Sequence, residues 1–438
     1  MTDVRTVAYE ALLDIENGTL GLTGTKDILA KYSYLEKNDR GFLKRLIEGT
    51  IERRITIDYV LDLYSKVPVS GMKKQIRTLL RMGTYQILYM DVADFAAVNE
   101  TVKLAKKKGF NSLSGFVNGV LRTVLRNRDN ITWPRKDGDI IKYMSVIYSC
   151  PEWIVRKIIS EQGEENAELL LKLSISVRPV TARVNLSKTT VADALKRCSG
   201  RVSDVCECAL VLEDYDSVPD IMAFADGSIC IQDISSMLVC LASGIRESDT
   251  VLDICASPGG KSLHAADIAR SGRVIALDVS ENKISRIREN VDRCGFTNVE
   301  MAVSDATVYR SDFEAIADVV IADVPCSGLG VMGRKNDSKY NISEESVEEL
   351  VKLQRAILIN AVRYVKPGGT LMFSTCTCSY PENQGNIRFL TDECGLTPVG
   401  FYDLLPDALK DESAKEGYIQ LYGKDSLTDG FFIGKLVK

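Results

Sequence analysis

Histidine is nearly absent from this sequence: the 438 residues include one, His264. Ser-His and Cys-His hydrolases need a histidine beside the nucleophile, so these classes are nearly excluded, and His264 is interpreted as a packing or surface residue. The twelve cysteines lie between Cys150 and Cys394 without a C-x-x-C pair. A zinc site of the usual ligand spacing is therefore not expected. Reduced thiols, most of them small buried hydrophobes, are expected instead.

Long apolar segments are also missing. No run reaches membrane-spanning length, and the N-terminus M-T-D-V-R-T lacks the apolar segment of a signal peptide. The sequence therefore predicts a cytoplasmic protein that does not bind a membrane. A length of 438 residues exceeds the size at which one core keeps growing, so two or three domains are expected.

Two common nucleotide-binding motifs are incomplete. The stretch Gly260-Lys261-Ser262 looks like the end of a phosphate loop, but that motif needs a glycine at the position of Cys255. The dinucleotide fingerprint G-x-G-x-x-G is absent as well. A nucleoside triphosphatase and a nicotinamide-dependent dehydrogenase are both disfavoured.

The N-terminal third is basic. Residues 1–150 carry 24 Lys+Arg against 17 Asp+Glu, whereas the remainder carries 31 against 43. Between Val4 and Asn127, apolar residues recur at three- and four-residue spacing, which predicts an all-α domain. Its cations lie in groups that favour an RNA-binding surface over a merely solvated face. These groups are Arg53 and Arg54; Lys73, Lys74, Arg77 and Arg81; Lys103, Lys106, Lys107 and Lys108; and Arg122, Arg126 and Arg128.

The rest of the chain divides into a connector and an alternating region. We predict a helical domain over 1–130, a connector with a small α+β domain over 131–225, and a Rossmann-like domain over 226–438. In the last, apolar strand-like runs alternate with helical segments, which predicts an α/β doubly wound parallel sheet with ligands at the carboxyl ends of the strands. The strands are predicted over 251–254, 274–277, 299–303, 319–322 and 370–373, with a terminal strand over 430–437.

A cofactor-binding turn is predicted at residues 251–262, V-L-D-I-C-A-S-P-G-G-K-S. The run from Val251 to Ile254 suits a buried strand, and Pro258, Gly259 and Gly260 end it in a turn that lets backbone N–H groups approach a ligand. A helix pattern follows at once, and helix N-termini favour anionic ligand groups.

Polar residues follow the predicted strands at the edge where ligands bind. They are Asp253, Asp278, Asp305, Asp323 with Cys326, and Thr375 with Cys376. A cysteine beside a Gly/Pro-rich turn can act as a nucleophile. One acid and two thiols suit methylation at carbon 5 of a pyrimidine: a thiolate adds to carbon 6, carbon 5 then attacks an electrophilic methyl, and a second thiol or another base helps elimination. These considerations do not choose between Cys326 and Cys376.

Three motifs resemble the RNA 5-methylcytosine methyltransferases that use S-adenosylmethionine. They are D-I-C-A-S-P-G-G-K-S, D-V-P-C-S-G-L-G at 323–330 and S-T-C-T-C-S-Y-P-E-N at 374–383. In addition, F-V-N-G-V-L-R at 116–122 and A-V-N-E-T-V at 97–102 resemble the helical RNA-binding domain shared with the antitermination factor NusB. The combination implies a bacterial enzyme, a monomer without metal, that methylates carbon 5 of a cytosine in 16S ribosomal RNA.

The resemblance also implies roles for individual residues. The cofactor loop falls on Cys255, Ala256, Ser257, Pro258, Gly259, Gly260 and Lys261. The ribose, adenine and methionine-side acids fall on Asp278, Asp305 and Asp323. Cys376 becomes the nucleophile, with Cys326 the helper of product release and Asp323 also facing the base.

Some alternatives stay open at this point. Cys378 lies two residues beyond Cys376, although the spacing to Glu382-Asn383 favours Cys376. A transfer RNA or DNA cytosine methyltransferase is a rival within the same chemistry, and a noncatalytic RNA-binding or ribosome assembly factor is a rival from another class.

Overall fold

The computed structural model describes residues 3–18, 23–334, 337–423 and 427–438. The chain separates into two compact units, Met1–Ser160 with Met332–Asn341, and Glu161–Val331 with Ile342–Lys438. The predicted division at residues 130 and 225 stays a prediction. Within the described ranges, no helix is both long enough and apolar enough to span a membrane.

The first unit is all-α, as predicted. Its core holds Leu43, Leu79 and Tyr85 with no exposed surface, which is the result of apolar residues recurring on one face of each helix. The helix over 23–31 was not predicted. The helices are α1 (Val4–Asn17), α2 (Thr23–Lys31), α3 (Lys37–Glu52), α4 (Arg54–Tyr64), α5 (Lys74–Tyr89), α6 (Asp94–Lys107), α7 (Ser114–Asn127) and α8 (Ile140–Ile147).

A small sheet follows the helix α9 (Glu152–Leu173), which is interrupted at Gly163. Its four antiparallel strands run in the order β2-β3-β1-β4, so the predicted α+β element is present. Arg183 of this sheet is buried and donates to the buried Asp267 over 2.7 Å. The elements are β1 (Val180–Val184), α10 (Val191–Leu195), β2 (Gly200–Val202), β3 (Ala209–Leu212), α11 (Met222–Ala225) and β4 (Ile229–Ile231).

The remaining elements form a Rossmann-like layer structure around an eight-stranded sheet. The elements from residue 234 onward are α12 (Ile234–Ser243), β5 (Thr250–Asp253), α13 (Gly260–Ile268), β6 (Arg273–Asp278), α14 (Glu281–Cys294), β7 (Val299–Val303), β8 (Ala317–Asp323), α15 (Ser338–Asn341), α16 (Glu344–Tyr364), β9 (Val365–Thr375), α17 (Gln384–Asp392), β10 (Thr397–Pro398), β11 (Tyr418–Tyr422) and β12 (Gly430–Val437). Of these, α15 belongs to the first unit.

This sheet is mixed rather than wholly parallel. Strands β9, β8, β5, β6 and β7 are parallel neighbours, as the alternation predicted. The terminal strand β12 returns antiparallel beside β9, and β10 and β11 pair with β12. The predicted doubly wound fold is confirmed, and the predicted terminal strand adds an antiparallel edge to its parallel part. The seven residues between β11 and β12 are too few for the crossover connection that a parallel neighbour requires.

Successive residues of the parallel strands point into two separate cores. Val251 and Val319 join one apolar cluster, while their neighbours Leu252 and Val320 join another. A sheet buried on both faces needs apolar residues at every position, which is why these strands read as continuous apolar runs. Polar side chains are thereby confined to the strand ends.

Candidate active site

A tight turn joins β5 to α13. Gly259 has φ of 103°, and a Cβ built on it would lie 2.8 Å from Cδ1 of Leu263. A side chain at this position is therefore both sterically and conformationally disfavoured. The residues before it, Cys255 to Pro258, lie at the carboxyl end of the sheet and lead into the N-terminus of α13. This is the strand-to-helix turn that the sequence predicted.

Three carboxylates surround the turn. Burial and then the negative charges of Asp253, Asp278 and Asp323 raise the pKa of the Cys255 thiol. Asp278 is itself buried, and its two oxygens accept the backbone N–H groups of Ser257 at 2.9 Å and of Val279 at 2.7 Å. Cys255 is thus a protonated lining residue, and two of the three carboxylates are paired, Asp278 with Lys283 and Asp323 with Lys261.

Asp305 stands apart from these acids. It is exposed, and its Oδ1 accepts from the backbone N–H of Thr307 at 2.9 Å and from the Thr307 hydroxyl at 2.7 Å. The large apolar side chains of Val279, Val303 and Val308 are exposed as well, at or just after the ends of β6 and β7. Apolar side chains beside a carboxylate suit a flat heterocycle with an exocyclic amine.

Lys261 joins the turn to β8. Its Nζ donates to Oδ2 of Asp323 over 2.7 Å, and its side chain is 10% exposed. Burial alone would lower the pKa of this ammonium. The negative charge of Asp323 and its hydrogen bond with Lys261 outweigh burial, so the pKa of Lys261 is raised. The other oxygen of Asp323 accepts from the hydroxyl of Ser374, its register partner on β9, over 2.7 Å. Lys261 is accordingly held as a buried cation.

The two predicted thiols meet. Sγ of Cys326, in the loop after β8, lies 3.2 Å from Sγ of Cys376, which follows β9. Hydrogen bonding with Cys376 is the largest cause of a strongly raised pKa of Cys326, followed by burial and by the charges of Cys376 and Glu382. Both residues are partly exposed, whereas Cys378 is 1% exposed. Cys378, two residues after Cys376, therefore faces the protein interior.

A buried polar network behind the thiols was not predicted. Glu382 accepts from the backbone N–H of Ser327 at 2.8 Å, from the Ser327 hydroxyl at 2.6 Å and from Nε2 of Gln354 at 3.0 Å. The sequence offered the spacing of Glu382-Asn383 from Cys376 as a signal. It offered none for Gln354, which occupies an ordinary position in α16.

Asn383 fixes the segment that contains Cys376. Its Oδ1 accepts from the hydroxyl of Thr375, and its Nδ2 donates to the carbonyl of Thr377 over 3.0 Å. These two residues flank Cys376 in the chain. Adjacent residues before α17 thus fix both cysteine segments, because Glu382 holds the residue that follows Cys326.

Gly330 ends the Cys326 loop against β12. A Cβ at this position would lie 1.9 Å from the carbonyl oxygen of Gly430, and the Gly330 N–H donates to the carbonyl of Cys376 over 3.1 Å. Gly330→Ala is therefore expected to destabilise the second unit by about 1–3 kcal/mol, because backbone must move to admit the methyl group. Thermal unfolding measures this effect. Gly119→Ala, where a Cβ meets no atom within 4 Å, is the control and should be neutral or stabilising.

Part of the predicted basic surface of the first unit is engaged inside that unit. Arg77 pairs with Glu16, Arg81 pairs with Asp58 over 2.7 Å, and the guanidinium of Arg54 stacks on the ring of Tyr340 at 3.6 Å. These cations stabilise the fold, so their membership in a phosphate-binding surface was wrong. The exposed cations of the predicted groups include Lys73, Lys74, Lys106, Arg122 and Arg126.

A Rossmann-like sheet with an acid-rich turn, a buried lysine and a thiol pair defines the class of S-adenosylmethionine-dependent methyltransferases. Residues 240–437 match the sequence model of the 16S rRNA methyltransferase RsmB/F family, and residues 2–126 match the NusB family. The chain belongs to the RsmB/F family of 16S rRNA methyltransferases, which confirms the predicted family, cofactor and enzyme class.

Two relatives match over their full lengths. The probable ribosomal RNA small subunit methyltransferase B of Bacillus subtilis is 33% identical over 446 residues, covering 100% of this chain and 99% of the relative. Ribosomal RNA small subunit methyltransferase B of Vibrio cholerae is 27% identical over 444 residues, covering 100% and 98%.

Solved structures share the fold. The crystal structure of PH0851 has a TM-score of 0.78 at 21% identity and covers 100% of this chain and 99% of its own. The structure of NSun6 from Pyrococcus horikoshii with SFG has a TM-score of 0.57 at 21% identity and covers 66% of this chain and 98% of its own.

Proposed function

We propose that this chain methylates carbon 5 of a cytosine in 16S ribosomal RNA through a covalent bond between Cys376 and carbon 6 of the base. The observation that carries the proposal is the 3.2 Å contact between the thiols of Cys326 and Cys376 beside the Lys261–Asp323 ion pair. Family membership and two full-length relatives that carry the name of this activity support the substrate.

The residues around the turn fit the cofactor. When bound, S-adenosylmethionine supplies an electrophilic methyl group on a cationic sulfur. Cys255, Ala256, Ser257, Pro258, Gly259, Gly260 and Lys261 form its turn. Asp278 would accept hydrogen bonds from the ribose, Asp305 would accept one from the adenine amine, and Asp323 would lie on the methionine side. The exposed valines offer apolar walls for the adenine.

The thiol pair carries out the covalent steps. Two sulfurs 3.2 Å apart share a proton most stably as one thiol and one thiolate. With the proton on Cys326, the Cys376 thiolate adds to carbon 6, and the electron pair displaced onto carbon 5 forms the bond to the methyl group, whose former bonding pair stays on the departing sulfur as a neutral thioether. Cys376 is then neutral, so Cys326 loses its proton to solvent more easily. The Cys326 thiolate accepts the carbon 5 proton as the bond between Sγ of Cys376 and carbon 6 breaks.

Cys326→Ala is expected to trap the intermediate. Carbon 5 is methylated, but the proton acceptor that assists elimination is missing, so a protein–RNA adduct resistant to denaturation should accumulate. Gel electrophoresis under denaturing conditions, with labelled 16S RNA fragments and cofactor, measures it. The double variant Cys326→Ala/Cys376→Ala is the control and should give no adduct. A full adduct in the double variant, or none in the single variant, would contradict the assignment.

The substrate is tested separately. The exposed cations Lys73, Lys74, Lys106, Arg122 and Arg126 of the first unit offer phosphate contacts, as the NusB match suggests. A stacked base hides carbon 6, so a cytosine in a paired region must be extruded. Mapping 5-methylcytosine in 16S RNA and in transfer RNA after reaction distinguishes the two substrates. Modification confined to transfer RNA would overturn the proposal.

An rRNA substrate also implies a cytoplasmic enzyme. One chain supplies every residue of the proposed site, so a monomer suffices.

A further inference from the structure

The segments that carry Cys326 and Cys376 are hydrogen-bonded to each other. The residues that follow the two thiols, Ser327 and Thr377, share a hydrogen bond between hydroxyl oxygens 2.6 Å apart. The N–H of Gly330 donates to the carbonyl of Cys376 itself over 3.1 Å. The two sulfurs are therefore held 3.2 Å apart by bonds that do not depend on the thiols.

This arrangement is close to that of a disulfide. A disulfide needs the two sulfurs about 2.05 Å apart, so the pair has to close by about 1.2 Å. Both cysteines are partly exposed, which gives a small oxidant access to them. Contact alone is not sufficient, because Cys230 and Cys294 lie 3.3 Å apart and are both buried. The pair in the candidate active site combines contact with access.

We propose that Cys326 and Cys376 form a disulfide when the enzyme meets a hydroperoxide, and that this bond switches methylation off reversibly. The bond itself rests on the contact geometry, and its effect on activity rests on the proposed function. Cys326 thereby has a second task. As the resolving thiol, it captures oxidised Cys376 before a further oxidation destroys the nucleophile.

The oxidation proceeds in two steps. The Cys376 thiolate attacks the hydroxyl oxygen of the hydroperoxide, the O–O bond breaks, and the departing oxygen takes a proton from solvent, which leaves Cys376 as a sulfenic acid. Cys326 then releases its proton, its sulfur attacks Sγ of Cys376, and the S–O bond breaks with loss of water. The two electrons that the pair gives up reduce the hydroperoxide to an alcohol and water, or hydrogen peroxide to two waters. Because the thiols are already in contact, the second step outpaces further oxidation.

The test treats the full-length protein with hydrogen peroxide, alkylates it under denaturing conditions and digests it. We expect mass spectrometry to find the peptide of Cys326 joined to that of Cys376, lighter by two hydrogens than the separate peptides. Methyl transfer to 16S RNA should fall at least about tenfold and return to within about twofold of the untreated level after dithiothreitol. Absence of the joined peptides, or a loss that dithiothreitol does not reverse, would overturn the inference.

The buried pair of Cys230 and Cys294 is the internal control. At the same dose it should stay reduced and be alkylated after denaturation, because the oxidant does not reach it in the folded chain. Oxidation of this pair to the same extent would show that peroxide opens the fold, and the inference would fail.

Two variants test the role of Cys326 as the resolving thiol. In Cys326→Ala, excess hydrogen peroxide should carry Cys376 to a sulfinic acid, so dithiothreitol should not restore formation of the RNA adduct. Recovery of the adduct in this variant would contradict the inference. Cys378→Ala is the matched control, because Cys378 is buried and lies outside the proposed site, and its inactivation should remain reversible. Irreversible inactivation would make Cys378 the resolving thiol and would also overturn the inference.

The failures of the two proposals are distinguishable. Untreated Cys326→Ala that forms no adduct would contradict the proposed function, whereas the joined peptides of the oxidised wild type are detected without any activity measurement. Wild-type protein that forms the adduct-trapping variant as expected but yields no joined peptides would contradict only the disulfide.

Discussion

The Cys376→Ala variant is expected to lose methyl transfer by a factor of at least about 10⁴, the largest effect of any single substitution here. Without the thiolate, carbon 5 of cytosine keeps too little electron density to attack a methyl group. Cys326 lies 3.2 Å away but does not replace it, because burial, and after it the charge of Glu382, still raises the pKa of Cys326 once the contact with Cys376 is removed. Transfer of labelled methyl groups to a 16S RNA fragment measures the loss, and cofactor binding should be unchanged.

Cys378→Ala is the matched control for this variant. Cys378 also follows β9, two residues after Cys376. Its side chain is 1% exposed, so it cannot reach a base. We expect activity within about threefold of the wild type, together with a small loss of stability from the cavity. Substantial activity in Cys376→Ala, or its loss in Cys378→Ala, would show that the nucleophile has been assigned to the wrong cysteine.

The parallel part of the fold and the approximate place of the site could be predicted from sequence for one physical reason. A sheet covered on both faces leaves polar residues only at its strand ends, so Asp253, Asp278 and Asp323 mark both the strand boundaries and the ligand edge. The antiparallel orientation of β12 could not be predicted, because an apolar terminal strand has the same sequence pattern whether its neighbour is parallel or antiparallel.

The partners of several side chains depend on the tertiary structure and could not be predicted from the sequence. Arg77 and Arg81 have the spacing of a basic surface, but Glu16 and Asp58 neutralise them from other helices. Periodicity shows which residues share a helix face and does not show what covers that face. The network of Ser327, Gln354 and Glu382 is another example, since its hydrogen-bonded pairs are 28 and 55 residues apart in sequence.

Asp323→Asn is expected to lower activity by about 10²–10³, because it removes a charge that serves two partners at once. In the folded chain Lys261 donates to one oxygen of Asp323 and Ser374 donates to the other. Asparagine keeps the shape and leaves the buried ammonium without this carboxylate. Ser374→Ala removes only a neutral hydroxyl, so as the control it should cost about tenfold or less.

The pH dependence of Asp323→Asn separates the charge from the shape. In the wild type, Asp323 offsets burial and holds the pKa of Lys261 above its ordinary value, so the ammonium persists at alkaline pH. In the variant burial acts with less opposition, the pKa of Lys261 falls, and the ammonium loses its proton at a lower pH. The residual activity should therefore decline on the alkaline side where the wild type does not, and adding Lys261→Met should abolish that decline. A variant profile parallel to the wild type would show that Asp323 acts without Lys261, and its contribution would then lie in direct contact with the base.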